Sequence, residues 1–253
     1  MNSKNTTEKR INNDAIIVRN LSYHYPDGTP GINDITFQVQ EFEKVAIIGP
    51  NGSGKSTLVT LLNGVRRGKG DIRIFSLSID KHNLLEIKKT VGLVFQNPDD
   101  QLFCPTIFED VAFGPLNLGL ASEEVRSRVK QALLSVDLAN YDQRSSFHLS
   151  FGERKLASIA TVLSMDPAII VFDEPTSNLD LAHRRKIITW LKKSNKTILL
   201  TTHDLDMALD TCERVILLNA GKIIADGESG KILRDKQLLE NNDLELPISL
   251  QKS

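Results

Sequence analysis

The residues best suited to chemistry stand together in one segment, Gly49-Pro50-Asn51-Gly52-Ser53-Gly54-Lys55-Ser56-Thr57. Its spacing is G-x-x-x-x-G-K-[ST], in which the glycines let the backbone turn tightly and approach a polyphosphate closely. The Lys55 ammonium supplies a point charge for the β and γ phosphates, and the Ser56 hydroxyl can ligate Mg²⁺. We therefore predict that all nine residues contact a nucleoside triphosphate.

The segments on either side of this loop must hold it against the phosphates. Residues 45–48 are all apolar, as in a strand buried on both faces of a sheet. Leu58, Leu61 and Leu62 then recur at helical spacing, and Gly64 offers a stop. A strand, a glycine-rich loop and a helix in this order point the helix N-terminus, with its free N–H groups, at an anion.

Two acids, Asp173 and Glu174, follow a second apolar run at residues 168–172. A carboxylate at the end of a strand is where a P-loop protein holds Mg²⁺, and a neighbouring carboxylate can face the attacking water. Two acids at a strand end can also form a solvated turn, but the P-loop makes that alternative the weaker one. We predict that Asp173 is a metal ligand and Glu174 the general base.

A second candidate anion site lies at residues 149–153, Leu-Ser-Phe-Gly-Glu, just before an apolar helical pattern. Ser150 and Gly152 would offer a hydroxyl and free N–H groups at a helix N-terminus. One nucleotide needs only one phosphate cradle. The second cradle therefore suggests a site that another subunit completes.

These motifs together resemble those of the ATP-binding-cassette (ABC) family. Residues 149–153 are similar to its signature, usually LSGGQ or LSGGE, except that Phe151 replaces the first glycine. The resemblance implies that Ser150, Gly152 and Glu153 contact ATP held by a partner cassette. A benzyl group cannot fill the space through which the glycine backbone approaches the γ-phosphate. We therefore expect the Phe151 ring to turn outward and the contact to be weakened.

Other motifs of the family occur in matching order across about residues 15–227. The resemblance implies these roles: stacking on adenine for Tyr25 (with Tyr23 as the alternative), Mg²⁺ ligation for Gln96, nucleotide contact for the D-loop residue Asp180, and γ-phosphate contact for the switch histidine, His203. It implies the metal set Ser56, Gln96 and Asp173, and the catalytic set Glu174, His203 and Gln96.

A narrower resemblance is to the ATPase subunits of energy-coupling-factor transporters, carried by residues 97–103 and 109–115. Residues 160–165 and 202–209 favour the cobalt and nickel branch, with vitamin importers as the alternative. The resemblance implies a homo- or heterodimer of ATPase subunits that uses ATP and Mg²⁺, a transmembrane coupling subunit and a substrate-binding membrane subunit. A non-transport ABC ATPase and a non-catalytic regulatory module are further alternatives. The intact hydrolysis residues argue against the regulatory module.

Strands and helices alternate through the second half of the chain, which indicates a mostly parallel sheet. The predicted fold is α/β, a P-loop NTPase (RecA-like) core with an antiparallel β sub-domain and an inserted helical sub-domain at about residues 97–160, as in an ABC ATPase. Within the insert, Ser122 is expected to cap a helix, and residues 97–115 to dock the membrane subunit. We expect an ATPase domain at residues 14–230, a disordered lead-in at 1–13 and a patternless tail at 231–253.

Composition narrows the setting in which the chain works. Its hydrophobic content is 40% and its charged content 25%, as in ordinary soluble globular proteins. The net charge of −1 gives no reason to expect nucleic acid. Cys104 and Cys212 stand in unrelated contexts, which favours a reducing compartment. Because there is no signal-peptide pattern and no apolar run of about 18–20 residues, we expect a peripheral protein held at the cytoplasmic side of the cell membrane by another chain.

Overall fold

The computed structural model describes residues 13–251, so the expected lead-in lies outside the described residues except for Asn13. The strands among these residues are β1 (Asp14–His24), β2 (Pro30–Gln40), β3 (Lys44–Ile48), β4 (Lys69–Ile74), β5 (Leu77–Ser78), β6 (Val91–Val94), β7 (Ile169–Asp173), β8 (Thr197–Thr201), β9 (Arg214–Asn219) and β10 (Lys222–Glu228). The α-helices are α1 (Lys55–Leu62), α2 (Leu84–Thr90), α3 (Ile107–Asn117), α4 (Ser122–Ser135), α5 (Phe151–Leu163), α6 (Leu181–Lys193), α7 (Leu205–Thr211), α8 (Ser229–Ile232) and α9 (Lys236–Glu240).

Two sheets carry the fold. The larger has the strand order β10-β9-β3-β8-β7-β6, and its five strands from β9 to β6 run parallel while β10 is antiparallel. The smaller is antiparallel, in the order β2-β1-β4-β5. The P-loop unit β3–α1 therefore lies between strands of the antiparallel sheet in sequence. This arrangement confirms the predicted P-loop core with an antiparallel β portion.

The central strands divide their side chains between two hydrophobic cores. In β3, Ala46 and Ile48 pack into the core shared with α3–α7, whereas Val45 and Ile47 pack into the core beneath α1 and the antiparallel sheet. This alternation follows from the two-residue period of a strand covered on both faces. The carboxyl ends of β3, β7 and β8 meet at one edge of the sheet, where ligands of open α/β sheets bind.

One expected helix cap is wrong. Ser122 does not cap α4; it is the first helical residue, and Ala121 precedes it with extended backbone angles and no side-chain cap. Glu123 and Glu124 do lie in the first turn. Their charges can interact with the helix dipole, which is the second half of the capping pattern.

Residues 231–251, the described part of the segment expected to be a patternless tail, are folded. Helices α8 and α9 occur there, and Leu233 and Leu239 are fully buried in the core shared with α3–α7. Further along, the backbone N–H groups of Ile248 and Ser249 donate to the carboxylate of Asp206, at 2.9 Å and 3.0 Å. Two leucines six positions apart are too sparse to show a helical period, so their burial could not be predicted.

Candidate nucleotide site

The P-loop adopts a backbone that only glycine tolerates at two positions. Gly49 and Gly54 have φ of 153° and 104°. A Cβ on Gly49 would lie 2.0 Å from the carbonyl oxygen of Leu218, and one on Gly54 2.5 Å from that of Gly31. Gly54 precedes α1 without any side-chain cap. The first N–H groups of α1 are therefore open toward the loop, as an anion cradle requires.

Lys55 is the cation of this cradle, and it is nearly buried, with 7% of its surface exposed. Its Nζ donates to the carbonyl oxygens of Gly49 and Pro50, at 2.8 Å and 3.0 Å. Burial lowers the pKa of Lys55, and the carboxylates of Glu174 and Asp173 oppose that shift. A buried ammonium beside open N–H groups is a strong attraction for phosphate.

Ser56 and Asp173 meet as predicted for a metal site. The Ser56 hydroxyl donates to Asp173 Oδ1 at 3.1 Å, and Thr201 Oγ1 donates to the same oxygen at 2.6 Å. Asp173 ends β7 and is 8% exposed. A hydroxyl and a carboxylate with their oxygens together are the hard donors that Mg²⁺ takes, so these residues fit the ion.

Glu174 and His203 are brought together at the same sheet edge. His203 Nδ1 lies 2.8 Å from Glu174 Oε2, which also accepts from the Ser177 hydroxyl at 3.0 Å. Glu174 is 7% exposed and has φ of 46°. The imidazole, in contrast, is 62% exposed. Both residues line the same cavity as the P-loop.

One cavity of about 750 Å³ joins these groups. Its lining contains most of the predicted nucleotide contacts: Tyr25, Gly49, Pro50, Asn51, Gly52, Gly54, Lys55, Ser56, Thr57, Gln96, Glu174 and His203. Gln96 is exposed at the cavity wall. Ser53 is instead buried under the loop, and Asp173 lies behind Ser56.

The aromatic residue predicted to stack on adenine lies at one end of this cavity. Tyr25 is half-buried, and its hydroxyl is 2.5 Å from Thr57 Oγ1. Its ring meets that of Tyr23 edge-on, with centroids 5.2 Å apart. The Arg66 guanidinium lies 5.2 Å from the Tyr25 centroid. Both tyrosines therefore belong to one aromatic and cationic cluster, but only Tyr25 lines the cavity.

The signature segment, residues 149–153, lies outside the cavity of its own chain. Ser150 is the N-cap of α5, and it forms a capping box with Glu153. The Ser150 N–H donates to Glu153 Oε2 at 2.8 Å, and the Glu153 N–H donates to Ser150 Oγ at 3.3 Å. Hydrogen bonds from Ser150 and from the Tyr141 hydroxyl lower the pKa of Glu153. This helix N-terminus is closed by its own side chains.

His183 joins the signature segment to Asp180. A Cβ on Gly152 would lie 2.4 Å from His183 Cγ, so the ring lies directly against the glycine. The same imidazole lies 2.7 Å from Asp180 Oδ2 through Nδ1. Asp180 also caps α6 by accepting from two backbone N–H groups. Besides Ser53 and Asp173, four predicted residues lie outside the cavity lining, and His183 connects them: Ser150, Gly152, Glu153 and Asp180.

Phe151 is half-buried at the start of α5. The Arg154 guanidinium lies 5.8 Å from its ring centroid. Its ring takes no part in the lining of the chain's own nucleotide cavity.

Several residues of the site were missed in the sequence. Thr201 and Ser177 hold Asp173 and Glu174, and Asp243 and Leu244 reach the cavity from the C-terminal segment. Lys155 contacts the backbone beside Gln96 and is fully buried. Thr201 ends an apolar strand next to the histidine, which is a usable signal. The others carry none, because tertiary packing alone brings them to the site.

The fold and this site define a P-loop nucleotide hydrolase. The family description "ABC transporter" matches residues 32–177. The chain is 46% identical over 238 residues to an energy-coupling factor transporter ATP-binding protein, EcfA, of Carboxydothermus hydrogenoformans, covering 92% of this chain and 88% of that protein. The chain belongs to the ABC transporter family, among the ATP-binding subunits of energy-coupling-factor transporters, and is an ATPase.

Two solved structures are similar to the chain. One is CbiO1 from Clostridium perfringens, described as part of the ABC transporter complex CbiONQ, with a TM-score of 0.80, 33% identity and coverage of 93% of this chain and 96% of that one. The other is a dimeric post-hydrolysis state of the ATP-binding cassette MJ0796 bound to ADP and Pi, with a TM-score of 0.76, 29% identity and coverage of 85% and 98%. No helix among residues 13–251 combines the length and apolar character that crossing a bilayer requires.

Proposed function

We propose that this chain hydrolyses ATP in a site shared with a second ATPase subunit, and that hydrolysis drives import of cobalt or nickel ions through a separate membrane subunit. One observation carries the shared site. The P-loop, Glu174 and His203 line one cavity, whereas Ser150 and Gly152 take no part in its lining. A phosphate held by one chain must therefore be met by the signature segment of another.

The hydrolysis step uses Glu174 and His203. Glu174 orients and polarises the attacking water, since it lines the P-loop cavity and directly follows the predicted metal ligand Asp173. His203, hydrogen-bonded to Glu174, contributes its exposed edge to the γ-phosphate. Lys55 and the open N–H groups of α1 hold the β and γ phosphates. Ser56, Asp173 and Gln96 would hold Mg²⁺, which when bound neutralises charge on the phosphate oxygens.

The partner cassette supplies the remaining contacts. Ser150, Gly152 and Glu153 would reach its ATP, with Asp180 beside them through His183. The dimeric state of MJ0796, bound to ADP and Pi, supports a pair of cassettes. Because this chain carries every predicted hydrolysis residue, a homodimer would be sufficient, and a heterodimer with a related ATPase subunit is the alternative.

A second cavity, of about 590 Å³, is the candidate docking groove for the transmembrane subunit. Its walls come from α2, α3, α5 and residues 95–103, next to Gln96. Phe103 and Phe113 line it with rings 5.0 Å apart, and they are 65% and 49% exposed. Large exposed aromatic side chains in a groove favour a protein partner. Docking here would hold the chain at the cytoplasmic side of the membrane.

Asp110 gives this groove a polar anchor. It is 3% exposed, and its Oδ1 accepts the N–H groups of Phe103 and Cys104. Its Oδ2 has no hydrogen-bond partner among the described residues. A buried carboxylate oxygen without a donor is costly, so a docking helix that brings a donor would gain affinity. These features support a substrate-binding and coupling machinery in other chains.

Cobalt or nickel as the substrate rests on similarity to CbiO1, which is described as part of CbiONQ, and vitamins are the alternative. The test is to purify the chain with its membrane subunits, reconstitute them in vesicles and supply ATP on the side of this chain. We expect uptake of Co²⁺ or Ni²⁺ that stops in the Glu174→Gln variant. If the vesicles took up a vitamin but neither ion, the proposed substrate would be contradicted, whereas the proposed role in import would stand.

A further inference from the structure

Lys155 lies in α5 with none of its surface exposed, and it is among the largest fully buried side chains. Its Nζ donates to the carbonyl oxygens of Phe95 and Gln96, at 2.6 Å and 3.0 Å. No carboxylate oxygen is among its hydrogen-bond partners within residues 13–251. The ammonium is therefore held by the backbone of a loop, not by a direct ion pair.

A gain in folding stability does not explain why this ammonium is buried. Removing an ammonium from water costs several kcal/mol, and a buried charge is often no better for stability than an apolar side chain of similar volume. Burial lowers the pKa of Lys155 to about 8, while Asp173 and then Glu174 oppose the shift. The two carboxylates that oppose the shift thus belong to the hydrolysis site.

The two carbonyl groups that accept from Lys155 lie at the start of a loop that contains Gln96. We call residues 95–101 the Q-loop segment. Gln101, at its end, donates from Nε2 to Ser158 O and Thr161 Oγ1 of α5, at 2.9 Å and 2.7 Å. Its Oε1 accepts the Phe95 N–H at 3.1 Å. The segment is therefore tied to α5 at both ends.

A third link lies between these two. The Arg154 guanidinium is 3.0 Å from Asp99 in the middle of the Q-loop segment. In sequence, the segment directly follows β6. The Q-loop segment is thus linked to α5 by the side chains of Lys155, Arg154 and Gln101.

The position of Lys155 along α5 connects the N-terminus of the helix to the Gln96 backbone. Ser150, at the N-terminus of α5, lies about one and a half turns before Lys155. In the proposed dimer Ser150 would contact the partner's nucleotide, and Gln96, which lines the P-loop cavity, would contact the chain's own. Since α5 is one helix, any movement of its N-terminus on closing over the partner is transmitted at Lys155 to the Gln96 backbone.

We propose that Lys155 is a positioning residue that fixes the Gln96 backbone to α5, so that closure of the signature segment on the partner's ATP sets Gln96 in the chain's own site. This rests on the proposed roles of Gln96 and of the signature segment. It would couple the two ATP sites of a dimer through the links between α5 and the Q-loop segment, among which Lys155 is the one that holds the Gln96 backbone itself.

The test compares Lys155→Met, Lys155→Arg and Ser158→Ala in the assembled transporter. Lys155→Met removes the two hydrogen bonds but keeps apolar volume. We expect its kcat to fall on the order of 10- to 100-fold, the usual cost of a small misplacement, with KM for ATP changed less than about threefold. Thermal stability should be unchanged or raised. Lys155→Arg keeps the donors and should recover part of kcat.

Ser158→Ala is the matched control, because Ser158 is fully buried in the same helix and its hydroxyl bonds, within residues 13–251, only to the Lys155 carbonyl. It should leave kcat near that of the unaltered protein. The double variant Gln96→Leu with Lys155→Met should be no slower than Gln96→Leu alone, since both act through one residue.

Two results would overturn the inference. One is a kcat of Lys155→Met equal to that of the unaltered protein while Gln96→Leu is slow. The other is a fall in kcat that adds in full to that of Gln96→Leu. If Gln96→Leu itself turns over normally, the proposed role of Gln96 fails first, and the two failures are therefore distinguishable.

Discussion

Two helices of this chain, α1 and α5, begin at loops suited to anions, but their N-termini are capped differently. The N-terminus of α1 follows Gly54, has no side-chain cap and begins with a nearly buried lysine, Lys55. The N-terminus of α5 is closed by the reciprocal bonds of Ser150 and Glu153 and lies on the outer surface. An open N-terminus beside a cation can hold phosphate without help. A self-capped one is stable alone and adds its contact only when another chain presents the ligand.

The largest expected effect is that of Glu174→Gln, in the cavity that the P-loop and α1 line. The amide keeps the volume and can still bond to His203 but cannot act as a base. We expect kcat to fall by about 10²–10⁴-fold, while ATP binding stays within about twofold. Turnover in a coupled ATPase assay and binding of a fluorescent ATP analogue measure the two. Near-normal turnover would remove Glu174 from the role of general base.

Lys55→Met tests the phosphate cradle itself. The apolar chain suits the buried position but loses the charged hydrogen bonds, which are worth roughly 1.5–3 kcal/mol. ATP affinity should therefore fall by about 10- to 100-fold, as measured by calorimetry. Lys196→Met is the control, because that lysine is partly exposed and pairs with Asp166. Equal affinities in both variants would contradict the cradle.

Ser150→Ala tests the α5 side, and α3 provides a matched control. Thr106 and Glu109 form the same capping box at the start of α3. Losing either cap should reduce the free energy of unfolding by about 1 kcal/mol. Only Ser150→Ala should lower ATPase activity, by about 3- to 10-fold, since one hydrogen bond to phosphate is lost. If Thr106→Ala lowers activity equally, the effect of Ser150 is structural.

Phe151→Gly should have the smallest effect. We expect the glycine to bring the signature backbone closer to the partner's ATP and to raise turnover by no more than about threefold. Because glycine is a weaker helix former, unfolding should become easier by about 0.5–1 kcal/mol. ATPase rates and thermal melts measure both quantities. A fall in turnover to background would show that the ring is required.

The sequence was sufficient where a motif and its backbone geometry are local. The P-loop, the acids after β7 and the strand–loop–helix order were predicted because their residues are neighbours in the chain. The burial of Lys155 could not be predicted. It follows Glu153 and Arg154 in a charged run typical of a solvated face, yet it is fully buried. Its environment is created by the Q-loop segment, which lies far away in sequence. Tertiary contacts likewise fold the C-terminal segment.

The most direct test of the shared site is a cross-link between two differently tagged copies of the chain, both carrying Glu174→Gln. One copy carries Asn51→Cys in the P-loop and the other Ser150→Cys in the signature segment. The native thiols are replaced by Cys104→Ala and Cys212→Ala, although burial already raises the pKa of Cys104 to about 11 and that of Cys212 to about 12.

A short thiol-specific linker then reports whether the P-loop of one copy meets the signature segment of the other. We predict a cross-linked pair of chains when ATP and Mg²⁺ are present and little without nucleotide. ATP bound at full occupancy with no link between the two copies would contradict the account.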